Sequence, residues 1–179
     1  MKPHSVAGRA YRVTLVTQTR QPWLCYWPVA KAVTRELDDA PLWRGSTLHT
    51  WVLMPDHLHL LLTLGDRETL TQLIARVKAA CAAAGCHALQ SHESFWAPAF
   101  NDRALRDGED LCAISRHLIA NPIRAGLADD IWAWPFWRSR PLAATASTDH
   151  WHNRQSIPGR SEGPDVRDEP KHHDADHHR

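Results

Sequence analysis

A chain of 179 residues, 43% of them hydrophobic, is long enough for one domain with a real core. No run of about 18 apolar residues occurs and residues 1–9 lack an apolar signal stretch, so the reading is a cytoplasmic protein with no membrane partner. The net charge of +1 is unevenly spread: residues 1–140 hold 16 Lys+Arg against 13 Asp+Glu, and residues 141–179 hold 5 against 7. A small basic excess on the folded part suits phosphate contacts, but it is too common to identify a DNA binder.

Residues 10–18 alternate and are rich in β-branched side chains, which predicts a strand. Pro28 opens a helix to about Leu37 with Val29, Val33 and Leu37 on one stripe. Leu48–Met54 and His57–Leu64 read as two strands joined by the Pro55-Asp56 turn. From Arg67 to Ala84, Leu70, Leu73, Ile74, Val77, Cys81 and Ala84 recur at helical spacing, and Gly85 is expected to stop that helix. Residues 94–105 read as extended, Glu109–Ala120 as a helix ended by Asn121-Pro122, and residues 123–128 as a short helical turn.

The order β-α-β-β-α-β predicts an α+β fold, the ferredoxin-like split β-α-β antiparallel sheet with helices packed on one face. The expected organisation is an extension over 1–9, a domain over 10–140, and a polar, disordered tail over 141–179. That tail ends in a histidine-rich stretch read as solvated. The four scattered cysteines read as reduced, small apolar residues.

The third strand carries the chemistry. Side chains two apart on a strand share a face, so His57 and His59 stand together while Leu58, Leu60, Leu62 and Leu64 cover the other side. Neutral imidazole is the commonest metal ligand, but a His-x-His pair is also frequent on half-exposed strands. Three segments taken together carry more: Met54-Pro55-Asp56-His57-Leu58-His59, Phe100-Asn101-Asp102-Arg103-Ala104-Leu105-Arg106, and Asn121-Pro122-Ile123-Arg124-Ala125-Gly126-Leu127. In this order and separation, over about residues 10–140, they resemble the REP-associated tyrosine transposases. Those proteins cut single-stranded DNA with a His-hydrophobic-His metal motif and one tyrosine.

The resemblance implies single-stranded or hairpin DNA as partner and divalent Mg²⁺ or Mn²⁺ as cofactor. His57, His59 and Asn121 would be the metal ligands. Asn121 can equally be a helix C-cap before proline. The family's nucleophile position, five residues before the proline, is held here by His117, and the two tyrosines, Tyr11 and Tyr26, lie far upstream. His117 can be read as a nucleophile, as a base or metal ligand supporting hydrolysis, or as the mark of lost strand cleavage. Arg103 and Arg106 suit phosphate clamps, with Arg76, Lys78 and Arg124 as lesser candidates. Solvated surface charge is the rival reading for all five. Trp132, Trp134 and Trp137 read as packing of the C-terminal segment against the sheet, with base stacking as the alternative.

Three functions follow: a transposase-like DNA-binding protein, a repeat-DNA-binding module without cleavage, and a metal-dependent DNA hydrolase using His117 as base. A monomer is expected, with a dimer as the alternative.

Overall fold

The computed structural model describes residues 5–140, which fall within one compact unit. The histidine-rich tail lies outside the described residues. Five strands, β1 (Ala10–Val16), β2 (Thr47–Met54), β3 (His57–Thr63), β4 (Asn101–Ala104) and β5 (Trp137–Ser139), form one antiparallel sheet in the order β4-β1-β3-β2-β5. The helices are α1 (Trp27–Asp38), α2 (Leu70–Leu89), α3 (Leu111–Ile119) and the single turn α4 (Asn121–Arg124).

Alternation along β3 divides the molecule. Leu58, Leu60 and Leu62 are fully buried beside Val13, Leu15 and Leu53, under Val29, Val33 and Leu37 of α1 and Leu73, Ile74 and Val77 of α2. Each such leucine contributes about 2 kcal/mol of burial. This is the expected α+β sheet with its two long helices on one face. The shorter α3 packs on the opposite face, where Leu118 and Ile119 join Val52, Met54, Leu61 and Leu105 in a second apolar cluster.

Local signals explain most boundaries. Thr69 caps α2 in a capping box with Gln72, and Asp110 caps α3 by accepting from the Cys112 N–H at 2.8 Å. Gly85, however, does not stop α2. The helix continues to Leu89 and ends at Gln90 in the left-handed conformation. Gly85 lies against the ring of Phe95, where a Cβ would come within 2.4 Å of Cε2. Its missing side chain makes room for an aromatic ring rather than for a turn. Likewise Ala120, not Asn121, closes α3, and Asn121 opens α4.

The tryptophan segment does pack on the sheet. β5 pairs with β2 through Trp137↔Val52 and Ser139↔Thr50, and the Trp134 indole donates to the Leu53 carbonyl at 2.9 Å. Trp132 is 61% exposed and its ring lies 5.7 Å from that of Trp137, tilted by 56°.

Candidate functional site

β3 is flanked by β1 and β2, and the register sets the surroundings of its histidines. His59 lies opposite Thr14 of β1 and Val52 of β2, and His57 lies opposite Val16 and Met54. The two rings meet edge to face, with centroids 4.7 Å apart and Nε2 atoms 3.1 Å apart.

Each ring is held from behind. His57 Nδ1 is 2.5 Å from Asp56 Oδ1, and Asp56 Oδ2 accepts from Arg20 Nη1 at 3.0 Å. His59 Nδ1 is 3.0 Å from Thr14 Oγ1. An Nδ1–H donated to Asp56 fixes the tautomer of His57 and leaves its Nε2 lone pair directed at His59. Burial would raise the Asp56 carboxyl, but hydrogen bonds from His57 and Arg20 overcome it and hold the group below its ordinary value. Burial, then the charges of His57, Arg12 and Arg124, push His59 down to about 4 against a smaller opposing effect of Asp56. His59 is therefore neutral at pH 7, the state a metal ligand requires.

The pair fits a divalent ion. Two nitrogens 3.1 Å apart can share an ion at about 2.1 Å with an angle of roughly 95° between them. Among the described residues no group of three or more His, Cys, Asp or Glu side chains could hold a metal, so His117 does not join the pair in such a group.

His117, Asn121 and Arg124 come together where α3 passes into α4. His117 is exposed, with Nδ1 3.5 Å from Arg124 Nη1, and Arg124 Nη2 donates to Asn121 Oδ1. The Asn121 oxygen is thus engaged by a guanidinium. Burial, then the charges of Arg124 and Arg12, lower the His117 pKa. The charges of Arg12 and Arg124 lower the pKa of both His117 and His59.

The basic residues divide. Arg103 on β4 shares the imidazole face, because it lies opposite Arg12, and it is ion-paired with Glu109. Arg106 is exposed, and among the described residues its guanidinium has no partner. Arg76 and Lys78 do not reach this face. Arg76 pairs with Glu68 and donates to the Leu42 carbonyl at 2.9 Å, and Lys78 ties α2 to the Ala97 and Pro98 carbonyls. Tyr11 is buried among the core leucines, with its hydroxyl accepting from the Val6 N–H at 2.8 Å, and Tyr26 is exposed ahead of α1.

Sequence reasoning missed Arg12, Thr14 and Asp56. The signal for the first two is the same alternation that places Tyr11, Val13 and Leu15 on the core side of β1.

The sequence profile of the family described as "Transposase IS200 like" matches residues 5–103. The chain belongs to this IS200-like transposase family. The match includes His57 and His59 and stops before α3, so positions 117 and 121 lie beyond it. No curated protein matches. A solved REP-associated tyrosine transposase, bound to a REP hairpin, is 21% identical with a TM-score of 0.58, covering 76% of this chain and 80% of that one. At that identity the likeness shows the shared fold. A protein of Deinococcus radiodurans R1, described as a candidate transposase, is 21% identical with a TM-score of 0.48, covering 72% of this chain and 98% of that one. Among the described residues of this IS200-like chain, no helix is long and apolar enough to cross a membrane.

Proposed function

We propose that this transposase-family protein binds single-stranded or hairpin DNA on the sheet face that carries His57 and His59, and that these imidazoles hold Mg²⁺ or Mn²⁺ there. The observation that carries the reading is the 3.1 Å approach of two Nε2 atoms whose rings are anchored through Nδ1. The REP hairpin held by the structurally similar transposase supports DNA as the partner. When bound, the ion would act as a Lewis acid on a phosphate oxygen. His57 and His59 would hold it as neutral donors. Asn121 would add its amide oxygen once Arg124 releases it. Arg103, Arg106 and Arg124 would hold flanking phosphates by charge-assisted hydrogen bonds.

His117 stands at the family's nucleophile position without a phenol. The protein then recognises repeat DNA and makes no tyrosyl–DNA bond from α3. A second reading, hydrolysis with His117 as general base, is favoured by an exposed imidazole whose pKa is lowered by burial and by the charges of Arg124 and Arg12.

A denaturing gel of labelled single-stranded hairpin DNA with protein and Mn²⁺ decides among these. We expect binding without a covalent adduct in the natural protein, and a denaturation-resistant adduct from His117→Tyr that disappears when His57→Ala is added. Cut ends without an adduct would favour the hydrolase. A robust adduct from the natural protein would overturn the proposed role of position 117.

A further inference from the structure

Arg12 leaves β1 on the same face as Thr14, two residues away, and Thr14 is the residue that anchors His59. Its position is half-buried. Directly opposite on β4 stands Arg103, and like charges facing across strands are destabilising. Glu109 neutralises Arg103. Among the described residues nothing pairs with the Arg12 guanidinium. Arg124 approaches from α4, bonded to Asn121 and beside His117, and it too meets no carboxylate among the described residues. Arg12 shares the sheet face of Thr14 and His59, and α3, whose His117 lies 3.5 Å from Arg124, packs on that same face through Leu118 and Ile119. The Asp56 carboxylate there is already taken by His57 and Arg20.

A half-buried guanidinium without an acceptor is costly. Arg12 without an acceptor, and Arg124 held only by the neutral Asn121 oxygen, leave an excess of positive charge on the imidazole face, where an anion with several acceptor oxygens would satisfy them. A phosphodiester has that chemistry, since its two free oxygens match the guanidinium fork.

We propose that Arg12 and Arg124 form a phosphodiester clamp beside His57 and His59, and that the clamp makes divalent-metal binding and DNA binding depend on each other. This rests on the metal and DNA reading above and adds a coupling to it. In the absence of DNA, two guanidinium charges repel a cation from the imidazole pair. A seated phosphate cancels that repulsion and offers the ion an oxygen ligand. The reinforcement must be reciprocal, so Mn²⁺ tightens DNA by the factor by which DNA tightens Mn²⁺.

The test is Mn²⁺ titration of the full chain, by calorimetry, with and without a saturating single-stranded oligonucleotide. The same titration on a His57→Ala/His59→Ala variant measures binding by the tail histidines and is subtracted. We expect DNA to tighten Mn²⁺ binding about tenfold or more, the scale of a typical coupling. In Arg12→Gln and Arg124→Gln, Mn²⁺ should bind more tightly without DNA than in the natural protein, and the gain from DNA should fall below about threefold. Arg12→Lys, which keeps the charge and loses the fork, should retain the weak DNA-free affinity and recover only part of the gain. Arg124→Gln lies on the exposed turn α4 and serves if the half-buried Arg12 variants fail to fold. Variants that keep the full gain would overturn the clamp while leaving the metal and DNA reading in place. A natural protein that binds Mn²⁺ at the pair equally well with and without DNA would overturn the coupling. Failure of the natural protein to bind either one would overturn the underlying reading and the clamp with it.

Discussion

Ser115 of α3 and Thr50 of β2 bring their hydroxyl oxygens within 2.5 Å of each other, and Ser139 of β5 lies 3.0 Å from the first and 3.1 Å from the second. This polar cluster, with both Ser115 and Thr50 buried, fastens α3 to the sheet beside the apolar contacts of Leu118 and Ile119. The helix that presents His117 is thus tied to the sheet two residues earlier, by a hydroxyl that has partners on two strands.

Ser115→Ala should lower stability by about 1 kcal/mol, because Thr50 and Ser139 still satisfy each other when Ser115 is removed. Urea unfolding measures it. A variant as stable as the natural protein would mean that the apolar contacts alone dock α3.

Stability should rise with pH between about 4 and 6.5. His59 titrates near its ordinary 6.5 when unfolded and at about 4 when folded, so in that window the unfolded chain binds the extra proton. The contribution is present above pH 6.5 and is lost as pH falls towards 4, by at most about 3 kcal/mol. His49 and His117, both lowered, act in the same direction, and Asp56 adds a further loss at still lower pH. Urea midpoints measured across this range should show a shallower dependence in His59→Gln. An identical slope would mean that His59 is solvated like a free imidazole.

In most helix interiors Gly→Ala gains about 1 kcal/mol. Gly85→Ala should instead destabilise by roughly 1–3 kcal/mol, because the new methyl meets the buried ring of Phe95. Adding Phe95→Leu should restore part of the loss in thermal melts. A stabilised Gly85→Ala would show that the ring moves aside freely.

The arginines should separate in a salt titration of DNA affinity. Arg103→Ala and Arg106→Ala should each lower the log–log slope by about 0.7 on single strands. Arg76→Ala and Lys78→Ala should leave the slope unchanged and reduce stability, since their donors serve Glu68 and the Leu42, Ala97 and Pro98 carbonyls. A lowered slope in Arg76→Ala would put DNA on the helix-covered side of the sheet.

The hairpin of β2 and β3 can be read from sequence because a two-residue period, a Pro-Asp turn and four alternating leucines all agree. The face shared by His57 and His59 follows from the same period. Other features depend on partners distant in the chain. Gly85 looks like a helix stop until Phe95 is known to fold back onto it. β5 has three residues between prolines, too few to show alternation, and it exists through its pairing with β2. Arg76 and Arg103 look alike as letters, and only packing separates a cation tied to Glu68 away from the site from one that shares the imidazole face. Arg12 is half visible. Its face can be read, but its neighbours Arg103 and Arg124 arrive from β4 and α4.

The alternation of leucine and histidine along β3 also acts as a proofreading device. A slip of one residue against β1 or β2 would move Leu58 and Leu60 out of the core onto the half-exposed imidazole face and drive both imidazoles among the core side chains beneath α1 and α2. A copy whose ligands are misaligned is thereby a copy that has not folded. Quality control that removes unfolded chains would remove faulty sites at the same time.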